Sequence, residues 1–153
     1  MTGLGAGPDA AAQVTAALAA SPAIVLAFFP GGIEASAPFD LFTEAARQVD
    51  GVEWMHTTDP KDFAAAAAAA GGGIAAPPAA GDAAAPFIVL VRGGGGSPQS
   101  VTFTGALDDD TKPLVDFVKS ERLPTVVDFT DDNIEMIFES SVKHQVGWCW
   151  LIL

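Results

Sequence analysis

Two short runs of uninterrupted apolar residues constrain this chain more than anything else in it: Ile24-Val25-Leu26-Ala27-Phe28-Phe29 and Phe87-Ile88-Val89-Leu90-Val91. A strand with one wet face alternates apolar and polar residues. A strand without alternation has to be covered on both faces, and helices packed on either side of a largely parallel sheet are the usual cover. Both runs are therefore expected at the centre of an α/β sheet, and the rest of the chain has to supply the helices. Its 153 residues suffice for one domain with its own core and fall short of two complete ones. Half of them are hydrophobic and only 17% are charged, which rules out a disordered acidic tail.

The helices can be placed from their signals. Asp9 reads as the N-cap of a helix over residues 10–20, with Val14 and Leu18 at i, i+4, and Ser21-Pro22 ends it. Pro30-Gly31-Gly32 closes the first apolar strand. Ser36 caps a second helix that tolerates Pro38 in its first turn; Phe39, Phe42, Ala46 and Val49 share one face, and Glu44 and Arg47 point away. Residues 52–58 read as a strand. Asp59-Pro60 then starts a third helix that leads into Phe63 and an alanine run. From Ala64 to Ala85 the chain is nearly all Ala, Gly and Pro. The first part suits a helix, Gly71-Gly72-Gly73 stops it, and the remainder reads as a flexible surface insertion with too few apolar side chains to pack.

Beyond the second apolar run, Gly93 to Gly96 with Ser97-Pro98 make a loose turn, and Ser100 to Thr104 alternate with Val101 and Phe103 on one side. An antiparallel hairpin is expected. Asp108, Asp109, Asp110 and Thr111 offer caps and negative charge to a last helix whose face is Leu114, Phe117 and Val118. The order α-β-α-β-α-β-β-α describes a mixed sheet with helices on both faces. It is the thioredoxin-like order without its first strand, of which Met1 to Pro8 show no sign. After Glu121-Arg122 the pattern restarts. Leu123 to Thr130 read as a new strand, Asp131 or Asp132 caps a short helix with Ile134, Ile137 and Phe138, and Val146 to Leu153 form a last apolar stretch. The domain boundaries follow as 9–122 for a thioredoxin-like domain and 123–153 for the truncated start of a second one.

Charge and cysteine content narrow the function. Seven Lys and Arg against nineteen Asp and Glu leave a net charge of −12, which repels phosphate backbones and anionic lipid, so neither nucleic acid nor a membrane surface is expected as a partner. Residues 1–10 have neither the basic start nor the apolar core of a secretory signal, and no apolar run is long enough to span a bilayer. Cys149 is the single cysteine, so a C-x-x-C centre, a zinc cage and an iron–sulfur site are excluded within this chain.

The segments Phe103-Thr-Gly-Ala-Leu107, Leu114-Val-Asp-Phe-Val-Lys119 and Leu123-Pro-Thr-Val-Val-Asp-Phe-Thr130 resemble the junction between the b and b′ domains of the protein disulfide isomerase family. The stretch from Ile24 through the helix carrying Phe39 and Ala46 is similar to the second strand and second helix of b. The resemblance covers about residues 9–122 for b and 123 to roughly 145 for the opening of b′. It implies an endoplasmic reticulum lumen protein that takes part in disulfide formation and protein folding. It also implies unfolded or partly folded protein clients and neighbouring thioredoxin domains in a longer chain. In that family the redox chemistry lies in two other domains, a and a′, each with C-x-x-C at the start of the second helix. The equivalent stretch here, Pro30 to Pro38, has no cysteine, which matches b. Thiol–disulfide exchange needs one thiolate to attack and a second to resolve the mixed disulfide, so this chain by itself is expected not to be an enzyme.

The remaining motifs have plain readings. Pro86 stands where redox-active thioredoxins keep a cis-proline facing the cysteines, and is the candidate for a structural cis-proline; a trans proline that starts the strand is the other reading. Gly93 to Gly96 lack the Lys-Ser/Thr of a phosphate cradle and fit a hairpin turn. His56 and His144 have no partner at ligand spacing and read as packing or surface residues; Trp54, Trp148 and Trp150 read as core or interface anchors. No catalytic, cofactor-binding or metal-binding residue is expected. The acidic groups Asp108 to Asp110 and Asp131-Asp132 keep one alternative open, a low-affinity calcium-binding protein like the acidic thioredoxin-like calsequestrins. A selective Ca²⁺ site wants six or more oxygens in a shaped loop, so caps on a solvated face fit these residues better. The leading expectation is a redox-inactive thioredoxin-like scaffold and client-binding segment.

Overall fold

A computed structural model describes residues 1–5, 8–34, 36–71, 73–77, 85–93 and 98–122. The expected second unit over 123–153, with its Asp131-Asp132 cap, His144, Trp148, Cys149 and Trp150, lies outside the described residues. So do residues 78–84 of the alanine-rich insertion and 94–97 of the hairpin turn.

The elements are β1 (Thr2–Gly3), α1 (Pro8–Ala20), β2 (Ala23–Phe28), α2 (Ala37–Gln48), β3 (Glu53–Thr57), α3 (Pro60–Ala70), β4 (Phe87–Arg92), β5 (Gln99–Thr102) and α4 (Lys112–Glu121). The five strands form one mixed sheet in the order β1-β3-β2-β4-β5. β3 is parallel to β1 and β2, whereas β4 is antiparallel to both β2 and β5 and so runs against the other four.

The apolar runs take the central positions, as their lack of alternation requires. Every residue of β2 is buried, and β4 is buried from Ile88 to Val91. Alternate residues feed two half-cores. Val25, Ala27 and Phe29 pack with Phe42, Ala45, Leu114 and Val118 of α2 and α4. Ile24, Leu26 and Phe28 pack with Ala10, Val14, Phe63 and Ala66 of α1 and α3 on the other face.

The first strand, not expected from the sequence, is present. Thr2 and Gly3 pair with Met55 and His56, and the Leu4 N–H donates to the His56 carbonyl at 2.8 Å. A two-residue, fully exposed strand has no periodicity to read, and glycine is a poor strand former. The first helix also starts earlier than expected. Pro8 occupies its first turn, which proline suits, so Asp9 is not the cap but an acidic residue beside the positive helix end. Its buried stripe is Ala10, Val14 and Ala17, with Leu18 half-buried.

The other helices begin as expected. Ser36 occupies the N-cap of α2 without a side-chain capping bond. Asp59 caps α3 by accepting from the Lys61 N–H at 2.7 Å, and α3 ends at Gly71. For α4 the cap is shared. Thr111 holds the position, and Asp110 accepts from the Lys112 N–H at 2.9 Å. In α2 the buried alanine is Ala45, with Ala46 half-buried, and Val49 follows the helix in extended backbone while remaining buried. β5 is shorter than the expected 100–104 strand, although the Phe103 N–H still reaches the Ile88 carbonyl at 2.9 Å. Phe103 turns onto α4, its ring 5.3 Å from that of Phe117.

Candidate functional site

The parallel strands β2 and β3 end on the same side of the sheet, and ligand sites of α/β sheets form at such strand ends. Antiparallel β4 begins there. Phe28 is in register with Phe87, which sets Pro86 beside the residues that follow β2. The return from β2 to parallel β3 requires a crossover, so α2 starts at this end, and α3, which follows β3 directly, starts there too. The site is therefore bounded by Pro30 to Glu34, Ser36, Thr58, Asp59 and Pro86.

Local bonds shape it. The Phe29 N–H donates to the Thr57 carbonyl at 3.0 Å, which keeps β2 paired one residue beyond its last ladder position. The chain then turns, with the Gly32 N–H on the Phe29 carbonyl at 3.2 Å. Gly32 has φ +85°, a left-handed conformation that favours glycine, and the space where a Cβ would stand is open. Behind the turn, the Phe29 ring meets Phe39 edge-on at 5.3 Å and Phe42 at 5.5 Å, fixing the start of α2 against the sheet. The Thr57 hydroxyl accepts from the Asp59 N–H at 3.1 Å, so Thr57 and Asp59 together build the entry to α3. Pro86 is half-buried, and the peptide bond before it is trans, like every other among the described residues. The cis form considered for it is therefore not the one seen.

The chemistry this end offers is limited. Ser36 is a hydroxyl at a helix start, Glu34 is exposed, and the Asp59 carboxylate is taken up as a cap. Among the described residues, no group of three or more His, Cys, Asp or Glu is placed to hold a metal ion. Asp108, Asp109 and Asp110 lie at the entry to α4, exposed, with Asp110 engaged in capping. A shallow apolar groove of about 320 Å³ lies elsewhere, between α3 and residues 73–77, lined by Phe63, Ala67, Gly71, Ile74 and Pro77 among others.

One residue has a more particular setting than its sequence suggested. His56 is half-buried on β3, on the same face as Trp54, and its ring lies 4.9 Å from that of Phe39. Its Nδ1 is buried without a hydrogen-bond partner. Burial, followed by the Met1 amino group, holds its pKa below the ordinary 6.5. The strand pattern predicts which face His56 takes, but not that an aromatic ring and a short edge strand close around it.

No protein-family model matches the chain, and no curated protein matches it either.

Proposed function

We propose that the domain is thioredoxin-like and serves as a redox-inert scaffold and client-binding segment of a protein resembling protein disulfide isomerase. The observation that carries this reading is the first turn of α2. It closes the stretch Pro30 to Pro38 that follows central strand β2, and this stretch has no cysteine where, by the resemblance, the family's redox-active domains carry C-x-x-C. The strand order, with β4 alone running against the rest, supports the same reading. A domain of this kind presents surface and spacing instead of sulfur chemistry. Its clients are unfolded or partly folded proteins in the endoplasmic reticulum lumen, and its neighbours are thioredoxin domains of a longer chain.

Two assays test the proposal together. Insulin reduction by dithiothreitol should proceed at background rate in the presence of the chain. Aggregation of a reduced, denatured client should slow as the chain is added in increasing excess. Insulin turnover that survives Cys149→Ser, or aggregation indifferent to the chain, would overturn it.

A further inference from the structure

The setting of His56 has a consequence for the edge of the sheet. Its ring is held between Phe39 of α2 and β1, where a Cβ built on Gly3 would stand 3.7 Å from the imidazole Cε1 and Nε2. Nδ1 is buried and unpartnered, so an N–H there would have no acceptor, which favours the neutral tautomer with its proton on Nε2. A second proton would go to Nδ1, and would create a buried N–H and a positive charge with nothing to accept either.

We propose that His56 is a proton-sensitive latch for β1: when the imidazole is protonated, the two-residue strand lets go of the sheet edge and leaves β3 open. β1 is the element that can yield at least cost. Both of its residues are exposed, and it is held by two register positions with β3, the Leu4 to His56 backbone bond and an exposed bond from the Thr2 hydroxyl to Glu53. The alternative, moving Phe39, would disturb the edge-on contact with buried Phe29.

The charges around the ring oppose protonation or stand aside. Just before β1, the Met1 amino group disfavours a positive charge on the ring, and burial of the ring acts in the same direction and more strongly. On β3 itself Glu53 is on the opposite face by strand alternation and accepts from the Thr2 hydroxyl at 3.2 Å. From α2, Asp40 and Glu44 are exposed, and Glu44 pairs with Arg47. From β2, the register partner Ala27 brings no charge. A β3 edge freed in this way offers unpaired backbone groups to another extended segment.

Amide hydrogen exchange by NMR tests this in the intact chain, with rates converted to protection factors at each pH from about 7.5 to about 5, the range in which histidine titrates. The Leu4 amide should lose protection with the midpoint of the His56 imidazole. The loss should be about tenfold for each unit by which the His56 pKa differs between latched and unlatched states. Amides of β2 should keep their protection, and the H56Q variant should show no loss at Leu4. Acetylating the amino terminus should leave the effect in place, because burial is the larger cause. Leu4 protection that stays level while His56 titrates, a loss that persists in H56Q, or simultaneous loss at Leu4 and β2 would overturn the proposal. The first and third outcomes need only the wild-type chain.

Discussion

Phe28→Ala removes the ring on which one half-core closes. Phe28 is 2% exposed, at the end of a strand with no exposed residue, and its ring meets that of fully buried Phe63 at 6.0 Å and 55°. Burying an aromatic side chain removes roughly 150–250 Å² from water. Deleting all but its first carbon forfeits about 100 Å² of that, or ~2.5 kcal/mol at ~25 cal/mol per Å². The cavity left beneath α3 and the lost ring pair add to it, so a total of about 3–5 kcal/mol is expected. For a domain of this size that lowers the melting temperature by roughly 10–20 °C. Phe28→Leu keeps most of the volume and should cost less than about 1.5 kcal/mol. Thermal and urea melts followed by circular dichroism read both variants, and a cycle with Phe63→Ala isolates the coupling between the rings. A Phe28→Ala melt within about 2 °C of the parent would mean that Phe28 is not at the centre of a two-sided sheet.

Further outcomes follow from local geometry. A Cβ at Gly105 would stand 2.5 Å from the Phe103 ring, so Gly105→Ala should push that ring off Phe117 and cost about 1–2 kcal/mol; adding Phe103→Ala should cancel most of this penalty in a urea-melt cycle. Asp59→Ala removes the α3 cap and should cost about 1 kcal/mol, whereas Asp59→Asn should be nearly neutral in the same melts. His56, with its folded pKa held below 6.5, should contribute stability that is complete above about pH 6.5. That contribution is lost as pH falls through 6.5 toward the lowered value, because the unfolded chain then binds the proton first. Melts across this range should show a slope in the parent that is absent in His56→Gln.

What could be read from the residues, and what could not, divides along physical lines. β2 and β4 were legible because a run without polar residues has few other places to go, and α3 because a cap followed by proline is a local device. β1 was not legible. Its pairing with β3 depends on residues 53 positions away, and two residues carry no period. The packing of α1 on α3 was equally hidden, since alanine faces such as Ala10, Ala17, Ala66 and Ala70 are set apart from exposed alanines only by what lies against them. At the site, the loop after β2 and Pro86 could be named from order alone. The orphaned Nδ1 of His56 could not, because it arises from three elements meeting around one ring.

The central claim is that the start of α2 is a redox-type position that lacks only its cysteines. Restoring them tests it most directly, with Ser36→Cys and Phe39→Cys introduced together in a Cys149→Ser background. A thiol at a helix N-terminus is acidified, and the two positions are one helical turn apart. The account predicts a folded variant that forms one intramolecular disulfide on oxidation and reduces insulin above the parent's background. A variant that folds with the parent's circular dichroism spectrum, yet keeps two free thiols under oxidant and shows no turnover, would contradict it.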